Sequence, residues 1–210
     1  MNFIITIIGI VLIAFGVINI VILHNQKALA AIIILAGIAV TILGSSFKII
    51  PTGYTGVRTT FGQVNATVAT KGLNWKIPFV EKIILVNNKQ QDFTIDSKVW
   101  GETKEKTPVY ATDIVITCQV NENASAWLYA NVTNLKSIID DKLVASALKS
   151  AMVELTVDTI TNRSYVEPLL VDKLQMAVNE KYSENAIIIK NAVINNMDFE
   201  ESYNQAIAEK

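Results

Sequence analysis

Lys48-Ile49-Ile50-Pro51-Thr52-Gly53-Tyr54-Thr55-Gly56-Val57 marks the point at which this 210-residue chain changes character. The stretch reads as a short strand, a Pro-Thr-Gly turn and the start of a second strand. Upstream of Lys48 the one charged side chain is Lys27, and the first acidic residue of the whole chain is Glu81. Charged residues make up 18% of the sequence, against roughly 25% in soluble domains, and the shortfall is concentrated in the first 47 residues. The chain is an apolar leader followed by a remainder whose charges nearly cancel.

Working back from Lys48, Ala28 to Phe47 is apolar apart from Thr41, Ser45 and Ser46, and Phe3 to Leu23 is apolar apart from Thr6 and Asn19. At 1.5 Å per helical residue the 21 residues from Phe3 to Leu23 reach about 31 Å, the thickness of a bilayer core. The connection is only His24, Asn25, Gln26 and Lys27, so the two spans, 3–23 and 28–47, form an antiparallel hairpin. A secretory leader followed by a buried helix is the alternative, but Met1 and Asn2 supply no positive start and Val21-Ile22-Leu23 is no small-residue cleavage site. Glycines recur seven apart in each run, Gly9 and Gly16, then Gly37 and Gly44, giving each helix a smooth line for close packing. The loop carries Lys27 whereas Lys48 and Arg58 follow the second span. By a margin of one charge, the positive-inside rule favours a cytoplasmic soluble domain.

The remainder excludes much familiar chemistry. Near-neutral charge with no basic aromatic cluster speaks against nucleic acid. One cysteine, Cys118, excludes an intrachain disulfide framework, and one histidine, His24, lies between the apolar runs, which removes histidine triads and multi-histidine metal sites from the folded domain. No cofactor, metal or catalytic constellation is expected. Cys118 lies in a partly alternating strand with no Lys, Arg or His close in sequence, so it reads as a core residue.

Strands are predicted at Lys48–Pro51, Gly56–Phe61, Lys82–Asn87, Gln91–Ile95 and Asp113–Val120, with turns at Lys71-Gly72 and Trp100-Gly101. From Leu135 the period changes: Leu135, Ile138, Ile139, Leu143, Ala147, Leu148, Met152 and Leu155 mark an amphipathic helix of about twenty residues. Ser164-x-x-Glu167 has the form of a capping box ahead of a second helix reaching Tyr182. A strand over Ala186–Ile194 and the first turns of a helix from Glu200 complete an α+β order.

These residues resemble the stomatin, prohibitin, flotillin and HflK/C group, known as SPFH or band 7. The resemblance rests on Ile49 to Val57, on the strand ending Phe61-Gly62, and on Gly72-Leu73-Asn74-Trp75-Lys76-Ile77-Pro78-Phe79. It continues through Thr94-Ile95-Asp96, Pro108-Val109-Tyr110-Ala111-Thr112-Asp113, Ser146-Ala147-Leu148-Lys149 and Ile160-Thr161-Asn162-Arg163, to Asp198-Phe199 and Ala206-Ile207-Ala208-Glu209-Lys210. Lys149 stands where the group usually has Arg, which loses the bidentate geometry of a guanidinium. The implied organisation is a transmembrane hairpin over 1–47, an SPFH/band 7-like domain over 48–198 with a β-rich first half and a mixed second half, and the start of a C-terminal helix over 199–210. In the group that helix runs on into a long coiled coil.

The resemblance implies a non-enzymatic scaffold in a bacterial cell membrane, whose copies associate into large rings, enclose a patch of bilayer and influence client membrane proteins, including AAA-type membrane proteases. Trp75, Ile77 and Phe79 lie close in sequence to the anchor, where they fit either a headgroup contact or a small β core. Arg163, Tyr203, Ala206 and Ile207 are candidate contacts between copies or with the terminal helix. Two other classes compete. One is an anchored binding module acting as monomer or dimer. The other is a Ser/Lys peptidase built on Lys142 and Ser146, four apart on one helix, although these residues equally form a solvated polar face. The Asn-x-Ser/Thr triplets at Asn65, Asn123, Asn131 and Asn162 are read as polar turns rather than glycosylation sites.

Overall fold

A computed structural model describes residues 2–21, 27–134, 138–201, 203 and 205. The chain divides into two compact units, Met1–Val86 and Asn87–Lys210.

The first unit opens with helix α1 (Asn2–Val21) and helix α2 (Lys27–Ser45), both long and apolar enough to cross a membrane. Gly44 faces Ile5 and Thr6, Gly37 faces Gly9 and Ile13, and Gly16 faces Ala30 and Ile34, so the two run antiparallel. A Cβ on Gly37 would stand 2.9 Å from the Gly9 carbonyl oxygen, which no side chain tolerates. The glycine lines therefore bring the backbones together, while Ile4, Val11, Phe15, Ile32 and Leu35 are left more than half exposed on the outer faces. A core helix of a water-soluble unit would bury such residues. α2 ends earlier than predicted, because Phe47 already belongs to strand β1.

β1 (Phe47–Ile50) pairs antiparallel with β4 (Gly72–Trp75), and β2 (Tyr54–Thr60) lies between β3 (Gln63–Ala69) and β5 (Glu81–Asn87). Ile50, Ala69 and Ile83 form the core with Tyr54 packed against it. Gly56 is required there: a Cβ would come within 2.7 Å of Ile83 and 3.2 Å of Ala69. β3 and β4 are absent from the sequence expectation: Gly72-Leu-Asn-Trp is too short to show a period, and the alternation of Gln63-Val-Asn-Ala-Thr-Val is carried by only small apolar residues.

The second unit is two-layered. Strand β8 (Pro108–Val120) pairs along its length with β9 (Ile187–Phe199), and on its other side with β6 (Gln91–Ile95) and β7 (Val99–Glu102). Trp100-Gly101, read as a turn, is thus inside a strand. After a short helix α3 (Ser125–Asn131), helices α4 (Asp141–Met152), α5 (Val157–Ile160) and α6 (Arg163–Lys181) follow. Val144, Leu148, Leu170 and Leu174 bury with Ile114, Ile116, Cys118 and Ile194.

The strands do not keep one alternation. Val109 and Ala111 are buried, then Ile114, Ile116, Cys118 and Val120, so the alternation of β8 shifts by one residue around Asp113, whose φ is +55°. That residue and Asn195 opposite it are skipped in the ladder. In β9 a second slip at Lys190 separates buried Ile187 and Ile189 from Ala192 and Ile194. Each irregularity keeps apolar residues inward.

Helix starts differ from expectation. Asp140 caps α4, its side chain accepting from Leu143 N–H at 2.7 Å, so Ile138 and Ile139 are buried ahead of the helix rather than on it; Leu135 lies outside the described residues. Lys181 donates to Asp140 at 2.8 Å, and chiefly this bond holds the Asp140 carboxyl below its ordinary value. For α6 the cap is Asn162, accepting from Ser164 N–H at 3.0 Å. Glu167, assigned to a capping box with Ser164, instead accepts from Ile194 N–H at 3.0 Å. β9 runs five residues beyond the predicted Ile194, and helical backbone follows at Glu201, Tyr203 and Gln205.

Candidate membrane and assembly surfaces

Pairing of β1 with β4 decides where the first candidate residues lie. β1 begins two residues after α2 ends, and its first residue, Phe47, is opposite Trp75. The two rings meet edge to face with centroids 5.0 Å apart, and Lys76 N–H donates to the Ser46 carbonyl at 2.7 Å. Trp75 is therefore held at the end of the second apolar helix.

From there the chain makes the turn Lys76–Val80. Trp75 and Ile77 are half exposed and Phe79 is 94% exposed, in the left-handed region at φ +65°. None of the three joins the core of Ile50, Ala69 and Ile83. Phe61 is a fourth residue of the same kind, 82% exposed with φ +48°, and its N–H donates to the Val80 carbonyl at 3.0 Å. A bulky residue at positive φ costs on the order of 1 kcal/mol or more, so two exposed phenylalanines held this way are backbone strain concentrated on one apolar tip.

A polar clamp fixes this tip. Arg58 donates to Glu81 at 2.9 Å and to the Trp75 carbonyl at 3.0 Å. The same Glu81 oxygen accepts from Ile77 N–H at 2.8 Å, and Glu81 N–H returns to the Ile77 carbonyl at 2.9 Å. The Glu81 side chain is only 13% exposed, which makes these charge-assisted bonds firm. Sequence reasoning missed Phe61, Arg58 and Glu81. Phe61-Gly62 carried a signal, a large apolar residue set directly in a glycine turn, whereas the clamp joins residues 23 apart and had none.

In the second unit Arg163 donates through Nη2 to the Asn195 carbonyl at 2.8 Å, and Asn195 Nδ2 donates to Asp113 Oδ2 at 2.9 Å. This candidate contact residue thus stitches the break in the β8–β9 ladder, while remaining exposed between cavities of about 410 and 150 Å³. Tyr203 packs on Phe199 with centroids 5.1 Å apart. Ala206 and Ile207 lie outside the described residues. The structure does not gather Arg163 and Tyr203 into one described cluster.

Lys142 and Ser146 are both exposed on α4 and lie on its solvated polar face. Cys118 is fully enclosed, and burial first, then the Asp92 charge, push its thiol up to about 11. The sequon asparagines at 65 and 131 spend their amide nitrogens internally, on Thr60 Oγ1 and the Trp127 carbonyl.

Comparison with curated proteins returns no match. The family model described as SPFH domain / Band 7 family matches residues 48–210, beginning at the strand that leaves α2 and running through both β-rich segments and the α4–α6 layer. A β-rich domain joined to an apolar helical hairpin fits that assignment, and the chain belongs to the SPFH domain / Band 7 family.

Proposed function

We propose that the chain is a subunit of a membrane-anchored homo-oligomeric scaffold that organises a patch of bilayer and acts on membrane proteins gathered there, a membrane AAA protease among the candidate clients. Residues 1–47 anchor it, 48–198 form the associating domain, and 199–210 form the start of a C-terminal helix. The soluble part faces the cytoplasm of a bacterial cell, and copies close into rings, with Arg163, Tyr203, Ala206 and Ile207 as contact residues. The turn bearing Trp75, Ile77, Phe79 and Phe61 rests in the headgroup layer.

One observation carries this reading: the family's domain starts without a linker at the end of the second apolar helix, Ser46 bonding directly to Lys76. A domain tied so closely to the bilayer is confined to one plane. Confinement raises the effective concentration of each copy for its neighbours, so weak lateral contacts suffice for assembly. Such a protein works by geometry and needs no reactive group.

The test is the particle mass of the full chain extracted in mild detergent, by light scattering or single-particle imaging. A ring-sized particle is the expected result. A monomer or dimer would replace the scaffold with an anchored binding module.

A further inference from the structure

Strand β9 is thirteen residues long and, among the described residues, pairs with one strand only, β8. Its far edge would present a row of backbone donors and acceptors, the usual template on which another chain adds a strand. Helix α6, packed beside it, reaches that edge with side chains. Gln175 Oε1 accepts from Ile189 N–H at 2.8 Å while its Nε2 donates to the Ile187 carbonyl at 2.9 Å. This is the two-bond pattern that one residue of a neighbouring strand would make. Eight residues earlier on the helix, Glu167 Oε1 accepts from Ile194 N–H at 3.0 Å.

The spacing of the occupied positions is informative. Alternate residues of a strand point their N–H outward, so an outward Ile189 would be followed by outward 191 and 193. The slip at Lys190 shifts the parity by one, and Ile194 then faces out. Gln175 and Glu167 therefore serve the same edge on either side of the slip. Where the ladder breaks at Asn195, Arg163 occupies the loose carbonyl.

We propose that Gln175 and Glu167 stand in for a neighbouring strand along the outer edge of β9 and close this sheet to strand addition by a second copy of the chain. The inference concerns the contact that this edge refuses, and it holds for any oligomer the chain forms. Copies held in one membrane plane meet continually, and an open edge of this length would pair indiscriminately. Side chains from the packed helix leave the sheet intact and deny the template.

The test is residue-resolved amide hydrogen exchange on the full chain in detergent micelles, paired with infrared detection of intermolecular strands. In the native chain the Ile189 and Ile194 amides exchange as slowly as amides of the β8–β9 ladder. Q175A speeds Ile189 and E167A speeds Ile194, each by about fivefold or more, as expected for loss of one partner. Q175E keeps an acceptor and leaves Ile189 slow. The E167A/Q175A double variant, shown to be folded by an unreactive Cys118, gains concentration-dependent association with an intermolecular strand signature. Native Ile189 and Ile194 amides exchanging like exposed ones would overturn the proposal, and this holds even if the double variant does not fold. A folded double variant that associates no more than the native chain would overturn it equally.

Discussion

Cys118 shows how one residue's surroundings set its chemistry. It sits in β8 between β6 and β9, paired with Gln91 and Ile189, and is wholly enclosed. Burial penalises the thiolate, and neighbouring Asp92 adds repulsion. The raised value means that the folded state holds its proton longer than the unfolded one. Stability from this group is therefore intact at neutral pH and falls only as pH rises from the ordinary 9.0 through about 11. At pH 8 the thiolate fraction is on the order of a hundredfold below that of a free thiol. Ellman's reagent should leave the native chain unmodified over hours and react promptly once urea opens the sheet. Rapid reaction of the native chain would show that β8 is not buried here.

Elements were legible in the sequence to the degree that their own residues stabilise them. The apolar runs of α1 and α2 and the stripe Leu143, Ala147, Leu148 and Met152 of α4 carry their period openly. β4 and β7, four residues each, do not, because partners define them: Gly101 lies in a strand with the Met152 sulfur filling the space a Cβ would take. Glu167 misled as a capping residue for a similar reason, since its partner Ile194 is 27 residues away. The shift in alternation at Asp113 was equally hidden, being accompanied by bonds made by Asn195 and Arg163 from elsewhere in the chain. The glycine lines were readable, and they yield a prediction for the hairpin as an element. G37L places a side chain against the Gly9 carbonyl and Ile13 and forces the helices apart, at about 1 to 3 kcal/mol. Thermal unfolding in detergent should show a lower midpoint, while A31L, on an exposed face of α2, should change little. Equal behaviour of the two variants would mean that α1 and α2 do not pack along the glycines.

For the molecule as a whole, the question is how many points fix the first unit against the bilayer. The hairpin is one: without a second, the domain could swing about Ser46, and lateral contacts would have to overcome that freedom at each encounter. Phe61 and Phe79, rigidly presented through the Arg58–Glu81 clamp, would supply the second. Trp75 between them and the helix end is a reporter already in place, since Trp favours the headgroup region. A full chain with W100F and W127F retains Trp75 as its one indole. In vesicles of lipids brominated high on the acyl chain its emission should be strongly quenched. Replacing Phe61 and Phe79 by Ser should weaken that quenching, because the tip loses apolar area of roughly 200 Å² per ring, and R58A should do the same by loosening the turn while leaving the apolar residues in place. Trp75 emission indifferent to bromine would mean that the tip stands in water, and the exposed phenylalanines would then belong to a contact with protein.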